Sequence, residues 1–368
     1  MRILIASALL ALLAACASNE KPKPAPLPAN VPSLAVRTAW TASIGAVTFP
    51  LDVRVVEGRA YMASSAGTVA AIDTQSGADV WRTKLDTQVI AGVGSDGHYT
   101  AVVGRDNELL VLEGAKLVWR QKLKVLTLTA PLVAGNRVFT LSTDRTVSAF
   151  DAASGQRLWQ QQKSGEPLVL GQSGLLTAVG DTLVVGLGGR VAGLNPLTGT
   201  NRWETVVVNP RGTNEVERLV DVVSGFSREG SQICVRAFQY AVACLDAANG
   251  RALWSKPANG SAGVAGDANM VYGSEGDGRL TAWNLKDGEK AWTLDRYRFR
   301  TLTAPLVAGR SLIVGDDAGN LHVLSKTDGS PLNRIMTDDS GLSVAPVLAG
   351  KTLLVVSRRG SVYALRPE

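Results

Sequence analysis

The sequence predicts an all-β fold, an eight-bladed β-propeller of four-stranded antiparallel blades. Three observations predict it. A short phrase ending in tryptophan recurs along the chain, a second phrase marks the start of several repeats, and a strand near the amino terminus has no repeat of its own. Repetition at about 40 residues is typical of one four-stranded blade per repeat, and it explains a chain longer than one ordinary domain.

The first phrase consists of apolar residues, an Asp or Asn, three residues, a Gly, three residues and a Trp, as in Asp73, Gly77 and Trp81. An Asp or Asn side chain bonds backbone N–H groups two residues on, and Gly adopts positive φ. The phrase therefore predicts a tight turn between the third and fourth strands, with the tryptophan covering the seam to the neighbouring blade. These tryptophans are spaced by 41, 38, 40, 44, 51 and 38 residues and are Trp40, Trp81, Trp119, Trp159, Trp203, Trp254 and Trp292.

Two later copies of the phrase lack the tryptophan. In residues 321–333 an asparagine, Asn333, stands at its position, and in residues 361–365 the chain stops before a fourth strand. Residues 36–40 form a strand that precedes every complete repeat. Pairing of this strand with the carboxyl-terminal blade is predicted to close the ring and to remove an open sheet edge.

The second phrase, Thr-Ala-Pro-Leu-Val-Ala-Gly at residues 129–135, recurs letter for letter at residues 303–309 and loosely at residues 345–350. Proline is best tolerated at the start of a strand, so the phrase predicts the first strand of a blade. The Ala-Gly that follows predicts the hairpin turn to the second strand.

The amino terminus divides into three predicted parts: a signal peptide over residues 1–15, a lipidated cysteine with a tether over residues 16–33, and the propeller over residues 34–368. Arg2 precedes an apolar stretch that is too short to span a membrane as a helix. The following Leu-Ala-Ala-Cys at residues 13–16 has the pattern of a bacterial lipobox, which predicts acylation of Cys16. An ordinary signal peptide cut at a small residue is the alternative.

Residues 17–33 contain five prolines and no apolar periodicity. We expect an extended tether that holds the propeller up to about 50 Å from the bilayer. Position 17 is alanine rather than aspartate, which under the bacterial sorting rule favours the outer membrane of a Gram-negative bacterium, on its periplasmic face.

The two remaining cysteines, Cys234 and Cys244, fall symmetrically about Gln239 within a predicted hairpin. Cross-strand neighbours lie at a separation that a disulfide can bridge, and an oxidising periplasm favours the bond. Two buried free thiols are the alternative.

No residues in the sequence indicate catalysis, a metal site or a cofactor. The two histidines, His98 and His322, lie in different repeats, and no motif of a known hydrolase, zinc site or phosphate-binding loop occurs. The acidic pairs at 316–317 and 338–339 fall in predicted turns, where solvated carboxylates are the expected state. The formal charge of +6 is scattered, without the basic clusters of a nucleic-acid surface, so nucleic acid is not an expected partner.

The repeat is interrupted on both sides of the fourth blade. The larger insertion covers residues 206–221 and includes Arg211, Arg218 and Asp221, whereas the smaller covers residues 165–171 and includes Leu168 and Leu170. Loops on a rigid framework often carry binding sites. We expect both insertions to lie side by side on one face and to bind a protein partner, although tolerated insertions without function would look the same.

The repeat resembles the quinoprotein-type propeller repeat. Together with the lipobox, the proline-rich segment and the eight blades, it is similar to the BamB family, the lipoprotein propellers of the outer-membrane β-barrel assembly machinery. The most specific part is residues 212–222, similar to the family's signature of Glu, an apolar residue, an acidic residue, Arg, Leu, any residue, Asp, Val and Asp. The resemblance implies a non-enzymatic scaffold that docks on the periplasmic POTRA domains of BamA, the central barrel protein, and that could also receive unfolded barrel proteins.

The resemblance also implies contact residues. The family's Leu-x-Leu-Arg loop maps onto Leu168 and Leu170, but Gly171 stands where the arginine would be. Of the two acids that end the signature, Asp221 is present and Val223 replaces the second. Asp221 either pairs with a basic group of the partner or fixes its own loop.

Two other classes of protein remain open. A quinone-dependent dehydrogenase uses the same kind of ring, but such enzymes often carry adjacent cysteines, and this chain has none. A lipid-anchored propeller that binds another envelope protein or a glycan would share every feature except the signature stretch.

Overall fold

The computed structural model describes residues 22–163, 170–209, 213 and 219–368. These residues form eight four-stranded antiparallel sheets. In chain order the strands of the first half are β1 (Val36–Ser43), β2 (Arg54–Val56), β3 (Arg59–Ala63), β4 (Thr68–Asp73), β5 (Asp79–Lys84), β6 (Val89–Ser95), β7 (Tyr99–Gly104), β8 (Glu108–Glu113), β9 (Lys116–Lys122), β10 (Leu132–Ala134), β11 (Arg137–Leu141), β12 (Thr146–Asp151), β13 (Arg157–Gln162), β14 (Leu176–Val179), β15 (Thr182–Leu187), β16 (Arg190–Leu194) and β17 (Asn201–Val206).

The strands of the second half continue the pattern: β18 (Ser227–Glu229), β19 (Gln232–Ala237), β20 (Ala241–Asp246), β21 (Ala252–Pro257), β22 (Val264–Gly266), β23 (Met270–Ser274), β24 (Leu280–Asn284), β25 (Lys290–Leu294), β26 (Leu306–Ala308), β27 (Ser311–Gly315), β28 (Asn320–Ser325), β29 (Pro331–Met336), β30 (Val347–Ala349), β31 (Thr352–Val356) and β32 (Ser361–Pro367). Blade 1 is β2–β5, each next four strands form the next blade, and β30–β32 with β1 form blade 8. No helix in the described ranges is long and apolar enough to cross a membrane.

The predicted eight-bladed ring and its closure are confirmed. Strand β1 pairs antiparallel with β32, from Val36 opposite Pro367 to Ser43 opposite Ser361. The first strands of most neighbouring blades contact one another around a central channel. Because strands alternate in direction, the connections between blades and the hairpins between second and third strands lie on one face, the loop face. The remaining hairpins and the Asp-Gly turns lie on the opposite face.

The core lies between the blades. In the second and third strands, nearly every residue is buried, as in β3 and β4, because both sides of each blade pack on a neighbour. One cluster joins three blades through Val356, Tyr61 and Leu110. The fourth strands, such as β13 and β17, alternate exposed and half-buried residues and form the rim of the ring.

The repeated phrase forms the predicted turn. In blade 1 the Asp73 carboxylate accepts the backbone N–H groups of Gln75 and Ser76 at 3.0 and 2.8 Å, and Gly77 has a φ of +78°. In all eight blades the register between third and fourth strands shifts at the start of the fourth strand. Such a bulge strengthens the local twist.

Six of the seven repeat tryptophans, all except Trp81, pack on the turn of the following blade. The Trp119 ring lies against Gly155, and a Cβ atom built on that glycine would be 2.7 Å from the ring. The Trp119 Nε1–H donates to the Ala152 carbonyl at 2.8 Å. Six seams, all between described residues, have this indole hydrogen bond; the acceptors are Thr74, Ala152, Pro196, Ala247, Leu285 and Lys326.

The two remaining seams, between blades 1 and 2 and between blades 7 and 8, have no Asp-Gly turn to receive an indole. Blade 2 has only Gly114 and Ala115 between its third and fourth strands, so Trp81 meets no Asp-Gly turn. Blade 8 has no turn there either, because the two strands are the two ends of the chain. At that seam Asn333 replaces the tryptophan, and its Nδ2 donates to the Leu34 carbonyl at 2.8 Å.

The cysteines occupy the predicted hairpin. Cys234 in β19 lies directly opposite Cys244 in β20, with Cα atoms 4.0 Å apart, and the two sulfurs form a disulfide. Both residues are 1 % exposed, in a cluster that includes Trp254 and Trp283. The bond therefore joins the middle strands of blade 5 inside the core.

The segment expected to be a tether differs from the expectation. Ala25 donates its N–H to the Arg298 carbonyl at 2.9 Å, and Ser33 donates its N–H to the Leu332 carbonyl at 2.8 Å. Leu27 packs against a core cluster. Residues 25–33 are extended but attached to blade 7 and the connection before it, through these N–H groups and through the Ala25 and Pro28 carbonyls, which accept hydrogen bonds from Arg300 and Arg334.

We predict that Gly155→Ala destabilises the protein much more than Gly135→Ala. Both glycines lie in blade 3 with positive φ, +71° for Gly155 and +58° for Gly135. A Cβ atom added to Gly155 would meet the Trp119 ring, whereas one added to Gly135 would have no atom within 4 Å. Positive φ should cost about 1 kcal/mol in each variant, and the ring contact about 1–3 kcal/mol more in Gly155→Ala. Denaturant unfolding measures the difference, and equal losses would contradict the packing role of the glycine.

We predict that joint replacement of Cys234 and Cys244 by alanine lowers the free energy of unfolding by about 2–3 kcal/mol, the magnitude expected for a short closed loop. The expected control is that dithiothreitol weakens the wild-type protein and leaves the double variant unchanged. Wild-type unfolding that is insensitive to reduction, with free thiols found by mass spectrometry, would contradict the bond.

Candidate partner-binding site

The connections that contain the two insertions lie on the loop face, on either side of blade 4. The smaller connects β13 to β14 and the larger connects β17 to β18. The segments that directly follow the two insertions pair with each other: Leu175 donates its N–H to the Val222 carbonyl at 3.0 Å, and Ser224 donates its N–H to the Ser173 carbonyl at 2.9 Å. The described ends of the two insertions therefore lie side by side.

The larger insertion is also fixed to blade 5. The N–H of Val223 donates to the Arg236 carbonyl at 3.1 Å, and the N–H of Phe238 donates to the Asp221 carbonyl at 2.9 Å. Residues 221–224 thus run as an extended bridge between the smaller insertion and β19. Backbone pairing on both sides gives this bridge a fixed position.

Asp221 fixes the loop that carries Leu170. Its Oδ2 accepts the Leu170 backbone N–H at 2.9 Å, across 51 residues of sequence. Its Oδ1 lies 4.0 Å from the Arg145 Nη2, and the carboxylate side chain is only 20 % exposed. Burial raises the pKa of Asp221, while the N–H of Leu170 and the charge of Arg145 oppose that rise. Of the two roles open from the sequence, this geometry supplies the loop-fixing one.

Arg145 is the residue that sequence reasoning missed. It lies in the hairpin between β11 and β12 with a φ of +64° and is buried, with its guanidinium beside Gly188 and Asp221. Nothing in the repeat marks this position, since the contact joins residues far apart in the chain. Arg145 links the loop face of blade 3 to the bridge beside blade 4.

The surface above the bridge carries both apolar and polar side chains. Leu170 is half-buried over a cavity of about 40 Å³ that Leu128, Leu141 and Asp221 also line, which holds little more than a water molecule. On the neighbouring connection, Leu126 is 46 % exposed, and its carbonyl accepts the Thr143 N–H at 2.8 Å. Thr143 lines the same cavity as Leu170, so Leu126 lies on a connection next to that cavity.

Four of the predicted site residues, Cys16, Leu168, Arg211 and Arg218, lie outside the described residues. Val223, which stands where the resemblance implies a second acid, is 3 % exposed. It lines the central channel together with Ser224 and Gly225. A carboxylate at that place would be desolvated, so the geometry of this chain explains an apolar residue there.

The central channel has a volume of about 610 Å³. Small and apolar residues line most of it, and Asp52 and Arg358 are its charged groups. Burial raises the pKa of Asp52, and Arg54 opposes that rise. Within the described ranges, no group of three or more His, Cys, Asp or Glu residues is placed to hold a metal ion.

The fold and the repeat define the class of protein. Eight blades joined by indole contacts to the next blade's turn, with a channel at the centre, are the architecture of quinoprotein-like β-propellers. Two solved structures share it: BamB from Moraxella catarrhalis, with a TM-score of 0.81 at 22 % identity over 90 % of this chain and 100 % of that one, and quinohemoprotein alcohol dehydrogenase from Comamonas testosteroni, with 0.68 at 16 % identity over 90 % and 76 %. Both likenesses show the fold alone.

Sequence comparison identifies the family. The family model described as outer membrane protein assembly factor BamB matches residues 65–294. Outer membrane protein assembly factor BamB of Burkholderia pseudomallei is 36 % identical over 98 % of this chain and 97 % of that protein, and the Bordetella pertussis protein of the same name is 32 % identical over 95 % and 91 %. This chain belongs to the BamB family of outer membrane protein assembly factors. These relatives are named as assembly factors, not as enzymes.

We predict that Asp221→Ala loosens the loop at Leu170, whereas Asp221→Asn does not. Asparagine keeps an acceptor oxygen for the Leu170 N–H, and alanine removes it. Since the folded protein raises the pKa of Asp221, the carboxyl group favours folding below its unfolded pKa of about 4, and this contribution is lost as the pH rises.

At neutral pH, Asp221→Asn should therefore unfold at a temperature no lower than the wild type, and Asp221→Ala at a lower one. Hydrogen exchange of the Leu170 amide supplies the local readout, with fast exchange expected only in Asp221→Ala. Equal protection of that amide in all three proteins would show that the carboxylate does not hold the loop.

Proposed function

We propose that this protein is a non-enzymatic scaffold of the outer-membrane β-barrel assembly machinery, anchored by lipid on the periplasmic side of the outer membrane. Residues 1–15 would be removed as a signal peptide, and Cys16 would carry the acyl chains. The propeller, residues 34–368, would dock on the POTRA domains of BamA and assist the folding and insertion of barrel proteins. Membership of the BamB family and the names of the relatives support the assembly role.

The observation that carries the docking proposal is the hydrogen bond from the Leu170 N–H to the Asp221 carboxylate. It joins two insertions that are distant in sequence into one positioned surface. Side chains held in place before binding lose less conformational freedom when a partner arrives. Leu170, with the adjacent Leu168, would form an apolar anchor, and Arg211 and Arg218 would lie on the same larger insertion.

The scaffold would act by positioning a partner protein rather than by catalysing a reaction. Blades 3, 4 and 5 are joined by the Arg145, Asp221 and Val223 contacts, so the docking surface belongs to the rigid ring and not to a separate loop. A partner held there is held in a fixed orientation. Unfolded barrel proteins could pair with the exposed fourth strands, as an extended chain adds to a sheet edge.

We predict that joint replacement of Leu168 and Leu170 by alanine weakens binding to purified BamA POTRA domains by about 2 kcal/mol, or about thirtyfold in Kd, as expected for loss of a central apolar anchor. Leu197→Ala is the matched control, because Leu197 is 60 % exposed on the opposite face of blade 4. Calorimetry measures both, and equal affinities would place the docking surface elsewhere.

A photo-crosslinker distinguishes the alternatives in cells. A probe at Leu170 is expected to crosslink to BamA, and one at Asp317, on the same face but in blade 7, is not. If BamA co-purifies but does not crosslink at Leu170, the proposed role would stand, and the interface with BamA would lie elsewhere on the propeller. Capture of a different envelope protein or a glycan at Leu170 would favour the alternative of a lipid-anchored propeller with another ligand.

A further inference from the structure

The amino-terminal segment follows the outer strand of blade 7. Asn30 Nδ2 donates to the Arg334 carbonyl at 3.0 Å, and Ser33 donates its N–H to the Leu332 carbonyl at 2.8 Å. Farther back, Ala25 donates its N–H to Arg298, in the connection between β25 and β26. Since that connection lies on the loop face, the chain reaches the propeller from the loop face at blades 6 and 7.

Arginines hold this segment through its carbonyls. Arg334 Nη1 donates to the Pro28 carbonyl and Arg300 Nη2 to the Ala25 carbonyl, each at 3.0 Å. Arg300 is in turn fixed by Asp316, whose carboxylate lies 3.2 Å from its Nη1. The point where the chain enters is therefore tied to the interior of blade 7.

Asp316 is fully buried, so the expectation that it is a solvated turn carboxylate was wrong. Its carboxylate accepts hydrogen bonds from the Asn320 N–H at 2.8 Å and from the His322 ring at 3.0 Å. The Tyr297 ring packs on His322 with centroids 4.3 Å apart. A buried carboxylate with several donors is a rigid support for Arg300.

Exposed apolar side chains lie in the segments that meet where the chain enters: the entering chain itself, the connection that bonds Ala25, and β29. Val31, Phe299 and Met336 are 80 %, 41 % and 65 % exposed, three of the nine large apolar side chains that are exposed in the described part of the chain. The Arg298 guanidinium carbon lies 5.2 Å from the centre of the Phe299 ring. Val31, Arg298, Phe299 and Met336 together are called the anchor-side surface.

The backbone holds Phe299 outward at a cost. Its φ of +63° is in the left-handed region, which an aromatic residue rarely adopts, and its N–H donates to the Asp277 carbonyl at 2.8 Å. A strained residue in a fixed loop that exposes an aromatic ring to solvent is a candidate for binding.

We propose that the anchor-side surface contacts the lipid bilayer, with Phe299 and Met336 in the interfacial layer and Arg298 against anionic headgroups. This rests on acylation of Cys16 in the proposed function. Ala25 is nine positions beyond Cys16, and nine steps of chain span at most about 30 Å. The surface is therefore tethered close to the membrane, and an aromatic ring, a thioether and an arginine suit the interface.

The proposal is compatible with docking at blade 4. Blades 4 and 7 are three steps apart in a ring of eight, which is about 135° around the axis. A propeller that touches the bilayer at blades 6 and 7 would point blade 4 away from it, toward the periplasm.

Lipid-borne quenchers test the contact. The full-length lipoprotein is placed in vesicles of phosphatidylethanolamine and phosphatidylglycerol. A fluorophore is attached to the new thiol of Phe299→Cys or Met336→Cys, and Leu197→Cys is the exposed control on the opposite face. Severalfold stronger quenching at 299 and 336 than at 197 is the expected result. Equal quenching at the three positions would overturn the proposal.

A second experiment separates the effect of this surface on membrane contact from the effect of acylation. Vesicle flotation of the wild type and of Cys16→Ser reports the anchor, and a wild type that stays in solution would refute the acylation. In that event, a chain from residue 17 with an amino-terminal histidine tag is held on nickel-chelating lipid and the quenching is read again. Preference for 299 and 336 supports the surface, and no preference overturns it.

Substitution gives an independent reading. Phe299→Asn suits the left-handed backbone and, with Met336→Gln, is expected to reduce vesicle association of the unanchored chain severalfold, whereas Leu197→Asn leaves it unchanged. Affinity for the POTRA domains, which reports the proposed docking surface at blade 4, should be the same in the Phe299→Asn/Met336→Gln double variant and in Leu197→Asn. Unchanged vesicle association of the double variant would overturn the proposal.

Discussion

The ring depends on the contact between a tryptophan of one blade and the glycine turn of the next. The glycine serves twice there, because its positive φ closes the Asp-Gly turn and its missing Cβ makes room for the indole. The indole N–H then satisfies a carbonyl of that turn. Local turn chemistry and the packing between blades are therefore specified by the same few residues, which is why the phrase must recur as a unit.

One departure from the phrase falls at the seam where the ring closes. The seam between blades 7 and 8 offers the two chain ends instead of an Asp-Gly turn. An asparagine suits that seam, because it can donate to Leu34 and accept from Asn30. The turn alone does not decide whether a tryptophan is kept, since Trp81 is present at a seam where the following blade has no Asp-Gly turn.

Most of the fold could be predicted from the sequence, since a repeat reports the same local structure many times. The blade count, the closing strand and the pairing position of Cys234 and Cys244 follow from counting along the phrase. Less of the site could be predicted. The position of the insertions was readable, but Arg145 meets Asp221 through the fold alone, and Asp316 has the sequence of an exposed turn although it is buried beside His322. Contacts between distant residues outside the repeated phrase do not recur along the chain, so no periodic pattern in the sequence predicts them.

Closure of the ring also constrains the order of events when the chain folds. Val36 pairs with Pro367, so the first strand cannot find its partner until the whole chain has been synthesised. Bringing the ends of so long a chain together is slow, although the entropy of closure grows only slowly with length. Until then β1 is unpaired and β32 has one open edge. Completion of blade 8 is thus the step that commits the chain to its native form, and premature pairing of either edge with a neighbouring chain is the error that this topology must avoid.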